Sequence, residues 1–513
     1  MCRIRLGLPL DSRAGTNLTP HQLSTETDLA PPRGARLRLR GRFPQPSVPI
    51  LSKPTTGSIL FWLDAALLAA VWPPAAWLAL RPLGWPAAVM VGAVYAAFNL
   101  LLLFAMGLYR RQAIVEFRRS VTRVPLVVGM AAGLAAVSVA MLAAVTEPVL
   151  TRTDQVVAFA AAGVAFTYCA FTARVVLRQL LRSHVLRRRL LIVGAGQRAW
   201  DLLLILGREG SSLHDDVTLL HHSSLGPIDE RLVTERPTAL HRLVDFNVAR
   251  LAEAINADLI IVAPDERRGM DLEKLLACKK AGYPVLQYLT FIEQETRRID
   301  LKRMELGWLV FSEGFSFSLI DRFLKRVFDL AVSAVVLLLT APLLLGGILA
   351  IRLEGPGGIF YQQERVTQDG RVFNILKLRT MLPNAEAGGA VWAMQRDNRI
   401  TRSGSFLRRT RIDELPQLIN ILRGEMSFVG PRPERPMFVA ELANKIPLYN
   451  ERHMVKAGLT GWAQINYPYG ASIDDARSKL SYDLYYVKNF SIAFDFMILM
   501  QTLREVLWPS GAR

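Results

Sequence analysis

Cysteine is nearly absent. The 513 residues hold three, Cys2, Cys169 and Cys278, set far apart, with Cys169 inside an apolar run. That spacing excludes a disulfide framework or a CxxC metal site and suits a chain whose working parts lie in a reducing compartment. HExxH, GxSxG and Cys/His zinc patterns are missing too, which removes the common hydrolase signatures. Acidic residues are in deficit, 44 Asp and Glu against 62 Lys and Arg, for a net charge of +18. Yet 51% of the chain is hydrophobic and its mean hydropathy is positive. Basic and apolar together point to a membrane protein with cationic cytoplasmic faces. The basic residues track the ends of apolar segments instead of forming one stripe, which argues against a nucleic-acid partner.

Residues 1–56 are rich in Pro, Ser, Thr and Arg without an apolar period, the composition of a disordered basic arm. No apolar h-region follows the start, so no cleavable signal peptide is expected. Four apolar segments follow, near 58–80, 85–107, 124–146 and 155–177, each reaching the roughly 20 residues a helix needs to cross a bilayer. They make 57–180 a four-helix transmembrane domain. Arginines precede the first segment, fill the second connection and follow the fourth. That places the N-terminus and everything after Arg174 in the cytoplasm.

Residues 187–315 read as a Rossmann-like α/β domain. The apolar strand Arg189-Leu190-Leu191-Ile192-Val193 runs into Gly194-Ala195-Gly196-Gln197-Arg198-Ala199, a GxGxxA turn of the kind that brings backbone N–H groups to a phosphate. A second buried strand, 257–263, and a helical run, 270–281, support the assignment. No acidic residue closes a second strand, so nucleotide binding stays open beside a structural or regulatory role. Residues 323–351 then form a further apolar run broken by Pro342. A full crossing would carry the remaining chain across the membrane and leave basic residues at both ends. A reentrant helix over 325–352, bending at Pro342 and returning to its own side, reconciles length and charge. A true fifth span is the competing reading.

The densest chemistry lies from Arg408 to Pro433: Arg408-Arg409-Thr410-Arg411, the adjacent carboxylates Asp413 and Glu414, and Pro431-Arg432-Pro433. Arginine presents a planar fork of donors that matches phosphate oxygens. A carboxylate can serve as nucleophile or hold a divalent metal that also binds phosphate. Leu415, Leu418, Ile419 and Leu422 read as the buried face of a short helix, with the carboxylates in its first turn. The plainer alternative is a helix cap beside a solvated basic face.

From Lys325 onward the chain resembles the bacterial sugar transferases, the polyprenyl-phosphate glycosylphosphotransferases of the monotopic phosphoglycosyl transferase superfamily. The matching segments are Lys325-Arg326-Val327-Phe328-Asp329, residues 355–366 (GPGGIFYQQERV), 373–381 (FNILKLRTM), 413–418 (DELPQL), 426–433 (MSFVGPRP), 456–464 (KAGLTGWAQ) and 482–489 (YDLYYVKN). The upstream half resembles the long form of that family. The resemblance implies a membrane α/β protein of the bacterial inner membrane: four transmembrane helices, the Rossmann-like domain, then the reentrant helix with a mainly α catalytic domain over 320–513.

It also implies transfer of a sugar 1-phosphate from a UDP-sugar to undecaprenyl phosphate, releasing UMP through a covalent phosphosugar enzyme, in exopolysaccharide or capsule assembly. Asp413 would be the nucleophile. Glu414 would hold Mg²⁺ with it or relay a proton. Arg408 and Arg432 are the best phosphate clamps, with Lys377, Arg379 and Arg365 next. Glu364 and Asp483 are candidates for metal or nucleotide, against a salt-bridge alternative. Lys325, Arg326 and Pro342 would meet membrane lipid and the acceptor. A second copy of the chain is kept as a candidate partner. Two positions depart from the family, Ala457 for proline and Thr380 for serine, and neither is expected to touch the chemistry. The rival enzyme, a membrane UDP-sugar dehydratase or epimerase, needs a Tyr-x-x-x-Lys pair, and no tyrosine here has lysine four positions on. The non-catalytic rival is a scaffold for polysaccharide assembly.

Overall fold

A computed structural model describes residues 56–79, 84–105, 107–109, 152–183, 188–210, 214–243, 245–268, 270–382, 399–468, 470 and 472–507. The basic arm and the apolar segment at 124–146 lie outside the described residues. Three helices of the upstream half are described: α1 (Thr56–Ala79), α2 (Trp85–Ala105) and α3 (Arg152–Arg182). Each contains a window long and apolar enough to cross a membrane. They pack through Leu68, Trp72, Leu103, Cys169 and Ala170, while Trp62, Met90, Val94 and Val164 face outward. One buried polar lock ties the helices. Arg174 Nη1 donates to Asp64 at 3.2 Å, and Tyr109 donates to the same carboxylate at 2.8 Å. A charge at this depth persists only when paired.

The middle of the chain forms a five-stranded parallel sheet. Its strands are β1 (Arg188–Val193), β2 (His214–His221), β3 (Leu240–Arg242), β4 (Leu259–Val262) and β5 (Val285–Gln287), in the order β3-β2-β1-β4-β5. That is the order of the first five strands of a doubly wound nucleotide-binding sheet. The glycine turn after β1 is built as such a site would be. Gly194 has φ +119° and lies against β4, where a Cβ would stand 2.7 Å from the Ala263 carbonyl, so only glycine fits. The anion position, however, is filled from within. The two carboxylate oxygens of Asp265 accept from Gln197 N at 2.6 Å and Arg198 N at 2.9 Å, the amides that a phosphate would use. β2 ends in His221 rather than a carboxylate. The turn therefore keeps a nucleotide-binding shape while its anion position is occupied by the chain's own side chain.

One face of this sheet shares its core with the C-terminal part of the chain. Leu190, Ile192, Tyr288 and Trp308 pack with Leu442, Ile446, Tyr449, Leu480 and Leu484. Helix α4 (Tyr288–Thr296) carries Glu293, which receives a 2.6 Å bond from Lys488, and the Lys488 ammonium lies 4.2 Å from the centre of the Trp308 ring.

The C-terminal part begins with α5 (Leu319–Glu354), started by a capping box between Ser318 and Asp321. The helix runs unbroken through Pro342. Thr340 Oγ1 donates to the Val336 carbonyl at 2.7 Å just before the proline. Its residues divide by helical period. Asp329, Ser333, Gly347 and Ile351 are buried against the protein, whereas Ile320, Phe323, Val335, Leu338, Leu339, Leu345, Leu349 and Leu353 form an exposed apolar stripe. At Gly347 the fit is close: a Cβ would meet Leu378, Leu407 and Ile412 at 3.1–3.3 Å. Both ends of the helix thus pack on one domain. That domain contains the hairpin β6 (Phe360–Val366) and β7 (Val372–Leu378), helices α6 (Arg402–Thr410) and α7 (Gln417–Arg423), and the parallel pair β8 (Ser427–Val429) and β9 (Gly458–Thr460). Two last helices, α8 (Ile473–Lys488) and α9 (Ile492–Leu507), close it.

Candidate active site

The two central carboxylates lie outside the first turn of a helix. Arg411 takes a left-handed conformation (φ 56°) that ends α6. The chain then makes a separate 3₁₀ turn, Ile412–Glu414, before α7 opens behind Pro416. Proline has no N–H to extend the preceding turn, so the turn and helix stay distinct. The buried side of α7 is also rotated from the sequence reading: Leu418 and Ile421 are fully covered, and Ile419 and Leu422 only half. Between them, Asn420 ties the helix to the hairpin. Its amide donates to the Asn374 carbonyl at 2.9 Å and its oxygen accepts from Leu376 N at 3.0 Å. This sets Lys377, the next residue, above the carboxylates.

Glu414 stands at a convergence of three cations. Lys377 Nζ is 3.2 Å away, Arg432 Nη2 3.4 Å and Arg411 Nη1 3.5 Å. Burial by itself would raise its pKa; Lys377, Arg432 and Arg411 outweigh burial and hold the carboxyl well below the usual range. Asp413, one residue earlier, has the opposite environment. It is buried, and among the described residues no basic side chain reaches ion-pairing distance. Burial and then the charge of Glu414 push its pKa up, against the pull of Lys377 and Arg408. Environments that separate two neighbouring carboxyls in this way mark division of roles.

Arg408, on α6, acts electrostatically on Asp413, and its Nε donates to Thr380 Oγ1 at 3.0 Å. The threonine departure therefore does touch a candidate site residue, though serine would supply the same oxygen. Ala457 likewise donates its N–H to Thr367 Oγ1 at 3.1 Å, a bond that proline could not make.

Six other candidates are placed elsewhere. Arg379 holds the Gly355–Gly358 loop through the Pro356 carbonyl at 3.0 Å. Arg365 is committed to Gln363 and to the Pro433 carbonyl. Glu364 alternates to the exposed face of β6, opposite the face that Tyr361 shares with its cross-strand partner Lys377. Asp483 is buried, and Arg452 donates to it through both Nε (3.1 Å) and Nη2 (2.8 Å), the salt bridge that the sequence offered as its alternative role. Lys325 and Arg326 turn inward. Lys325 Nζ meets Asp495 at 2.6 Å and the Val429 carbonyl at 3.1 Å, and Arg326 caps α7 at the Ile421 and Leu422 carbonyls, each at 2.7 Å. Pro342 alone of the lipid-facing trio stays on the exposed face. Arg452 itself carried no signal in the sequence, because it lies in an irregular 3₁₀ segment, Tyr449–Met454.

Among the described residues no three carboxylate, His or Cys side chains gather as a metal cage. The donor set still suits Mg²⁺, which binds through one or two carboxylates and completes its shell with water and substrate phosphate. Asp413 is the carboxylate open to it.

Residues 320–509 match the model of the bacterial sugar transferase family. Over 265 residues the chain is 39% identical to a UDP-N-acetylgalactosamine-undecaprenyl-phosphate N-acetylgalactosaminephosphotransferase of Aeromonas hydrophila, covering 51% of this chain and 60% of that protein. It is 39% identical to a UDP-glucose:undecaprenyl-phosphate glucose-1-phosphate transferase of Escherichia coli over 36% of this chain and 40% of that one. A protein with the same activity in its name from Caulobacter vibrioides is 40% identical, and the match covers 37% of this chain and 71% of that protein. The matches to the first two thus cover less than two thirds of those proteins.

Proposed function

Because this chain belongs to the bacterial sugar transferase family, we propose that it moves a sugar 1-phosphate from a UDP-sugar to undecaprenyl phosphate, as a first membrane step of exopolysaccharide or capsule assembly. The observation that carries the reading is the contrast between Asp413, buried and without an ion pair among the described residues, and Glu414, clamped by three cations.

An Asp413 carboxylate oxygen attacks the β-phosphorus, the bond from that phosphorus to the bridging oxygen breaks, and UMP leaves with the electron pair. The acceptor phosphate oxygen then attacks the same phosphorus and returns Asp413 as carboxylate. This splits one reaction between a soluble donor and a lipid acceptor into two encounters. Arg408 and Arg432 stabilise the transferring phosphoryl group, and Lys377 holds Glu414 in its ionised form. Asp413 would hold Mg²⁺, whose chemistry when bound would be to neutralise negative charge as the diphosphate is cleaved.

The test is a transfer assay with purified protein, Mg²⁺, undecaprenyl phosphate and a panel of UDP-sugars labelled in the β-phosphate. The reading expects label in the lipid and release of UMP, and the accepted donor identifies the sugar. No transfer from any donor by folded protein would overturn it. Glu414→Gln is expected to lower kcat about 100-fold or more, because three cations lose their common partner and the arginines lose their aim. Steady-state kinetics with the accepted donor check this.

The exposed apolar stripe of α5 supports a helix that enters the membrane without crossing it, since both of its ends pack on one domain. On this reading the catalytic part faces the cytoplasm. In a variant without the native cysteines, Arg322→Cys and Arg352→Cys should both label from the cytoplasmic side only. Labelling of either from the far side would restore the fifth span.

A further inference from the structure

The Pro431-Arg432-Pro433 segment carries one of the proposed phosphate clamps, and its two prolines have no N–H with which to be anchored. It is held by its carbonyls. The Pro431 carbonyl accepts from Gly458 N at 2.8 Å, the Arg432 carbonyl from Arg452 Nη2 at 2.9 Å, and the Pro433 carbonyl from Arg365 Nη1 at 3.0 Å. Three consecutive carbonyls are thus fixed from β9, from the 3₁₀ segment after α-helical residues 436–445, and from β6.

Of the two arginine anchors, Arg452 is the more deeply set. It is 5% exposed, and all three guanidinium nitrogens are engaged: Nε and Nη2 on Asp483, Nη1 on the Tyr449 hydroxyl at 3.1 Å, and Nη2 also on the Arg432 carbonyl. The guanidinium carbon lies 5.3 Å from the Tyr449 ring centre. Nothing of this arginine is left for substrate. A buried ion pair by itself is weak evidence for stability, but one that spends a donor on the backbone of a neighbouring clamp has a geometric consequence.

We infer that Arg452, with Asp483 behind it, is a positioning residue that fixes the Arg432 carbonyl and thereby aims the Arg432 guanidinium at the phosphate beside Asp413. The inference rests on the proposed reaction. It separates two arginines twenty positions apart into one that meets substrate and one that holds the first in place.

A double-mutant cycle tests it. One arm is Arg452→Gln with Asp483→Asn, which removes both charges together and leaves neither buried alone. The other arm is Arg432→Ala. The neutral pair should lower kcat/KM by about 10- to 100-fold, the scale of an error of about 1 Å in a clamp, with the melting midpoint nearly unchanged. In the Arg432→Ala background the same pair should cost less than about twofold. Arg452→Lys keeps the charge beside Asp483 but cannot span three acceptors. It should repeat the loss of the neutral pair and so guards against a fold defect. If Arg432→Ala falls below detection, the cycle is read on the melting shift produced by the accepted UDP-sugar. Equal losses in both backgrounds, or wild-type rates in Arg452→Lys, would overturn the positioning role alone. Absence of transfer by the wild-type chain would instead remove the reaction, and this inference with it.

Discussion

Asp413→Asn should abolish transfer, by at least about 10⁴-fold in kcat, the scale on which loss of a covalent nucleophile is felt. The amide keeps the shape of the carboxylate but cannot form the acyl phosphate. The substitution should leave the fold intact for a reason visible in the structure. Among the described residues no cation is paired with Asp413, so none is orphaned by its loss. Removing its charge also relieves repulsion from Glu414, a cause of its raised pKa. A melting midpoint equal to or above that of the wild type is therefore expected alongside the lost turnover. Wild-type protein mixed with β-labelled donor and no acceptor should hold label covalently, and the variant should not. The scaffold reading predicts the reverse, a silent substitution. Near-normal turnover by Asp413→Asn would sink the nucleophile assignment.

Much of this architecture is legible in the sequence because it rests on length and period. Apolar runs near 58–80 and 85–107 are long enough to span, and α1 and α2 occupy them. An apolar strand followed by GxGxxA reads as the start of a parallel sheet, and β1 takes that place with Gly194 in the conformation only glycine tolerates. What no local pattern could show is that Asp265, nearly seventy positions later, fills the anion position of that turn. Motif reading gives the shape of a site and not its occupant.

The candidate site divides along the same line. Asp413, Glu414, Arg408, Arg432 and Lys377 come together because the first four lie within a short reach of chain and Asn420 brings β7 to them. Glu364 and Arg365 are adjacent on a strand, so both could not face the same side; the period of two decides, and Glu364 faces out. The role of Asp483 depended on Arg452, whose position is a product of tertiary folding in an irregular segment.

Lys325 tests how far charge beside a membrane helix can be trusted. A basic residue at the head of an apolar run has the signature of a snorkelling contact to lipid head groups. Helical period argues otherwise, since Asp329 lies four positions on and shares the inward face. Lys325 Nζ is 3.3 Å from Asp329 and 2.6 Å from Asp495, and both carboxylates are essentially covered. Each has further bonds: Asp329 to Ser427 and Phe428 N, Asp495 to the Tyr486 hydroxyl. Lys325→Met would leave the two acids buried without their cation, and breaking a buried pair from one side costs about 3–5 kcal/mol. A large fall in the melting midpoint in lipid nanodiscs is expected, with part of it recovered when Asp495→Asn is added. The KM for undecaprenyl phosphate in the surviving folded protein should stay near the wild-type value. A lipid-facing lysine would behave in the opposite way, raising that KM several-fold with no loss of stability. That second outcome would return Lys325 to the acceptor site and would mean that the 2.6 Å contact with Asp495 opens when the protein meets its lipid.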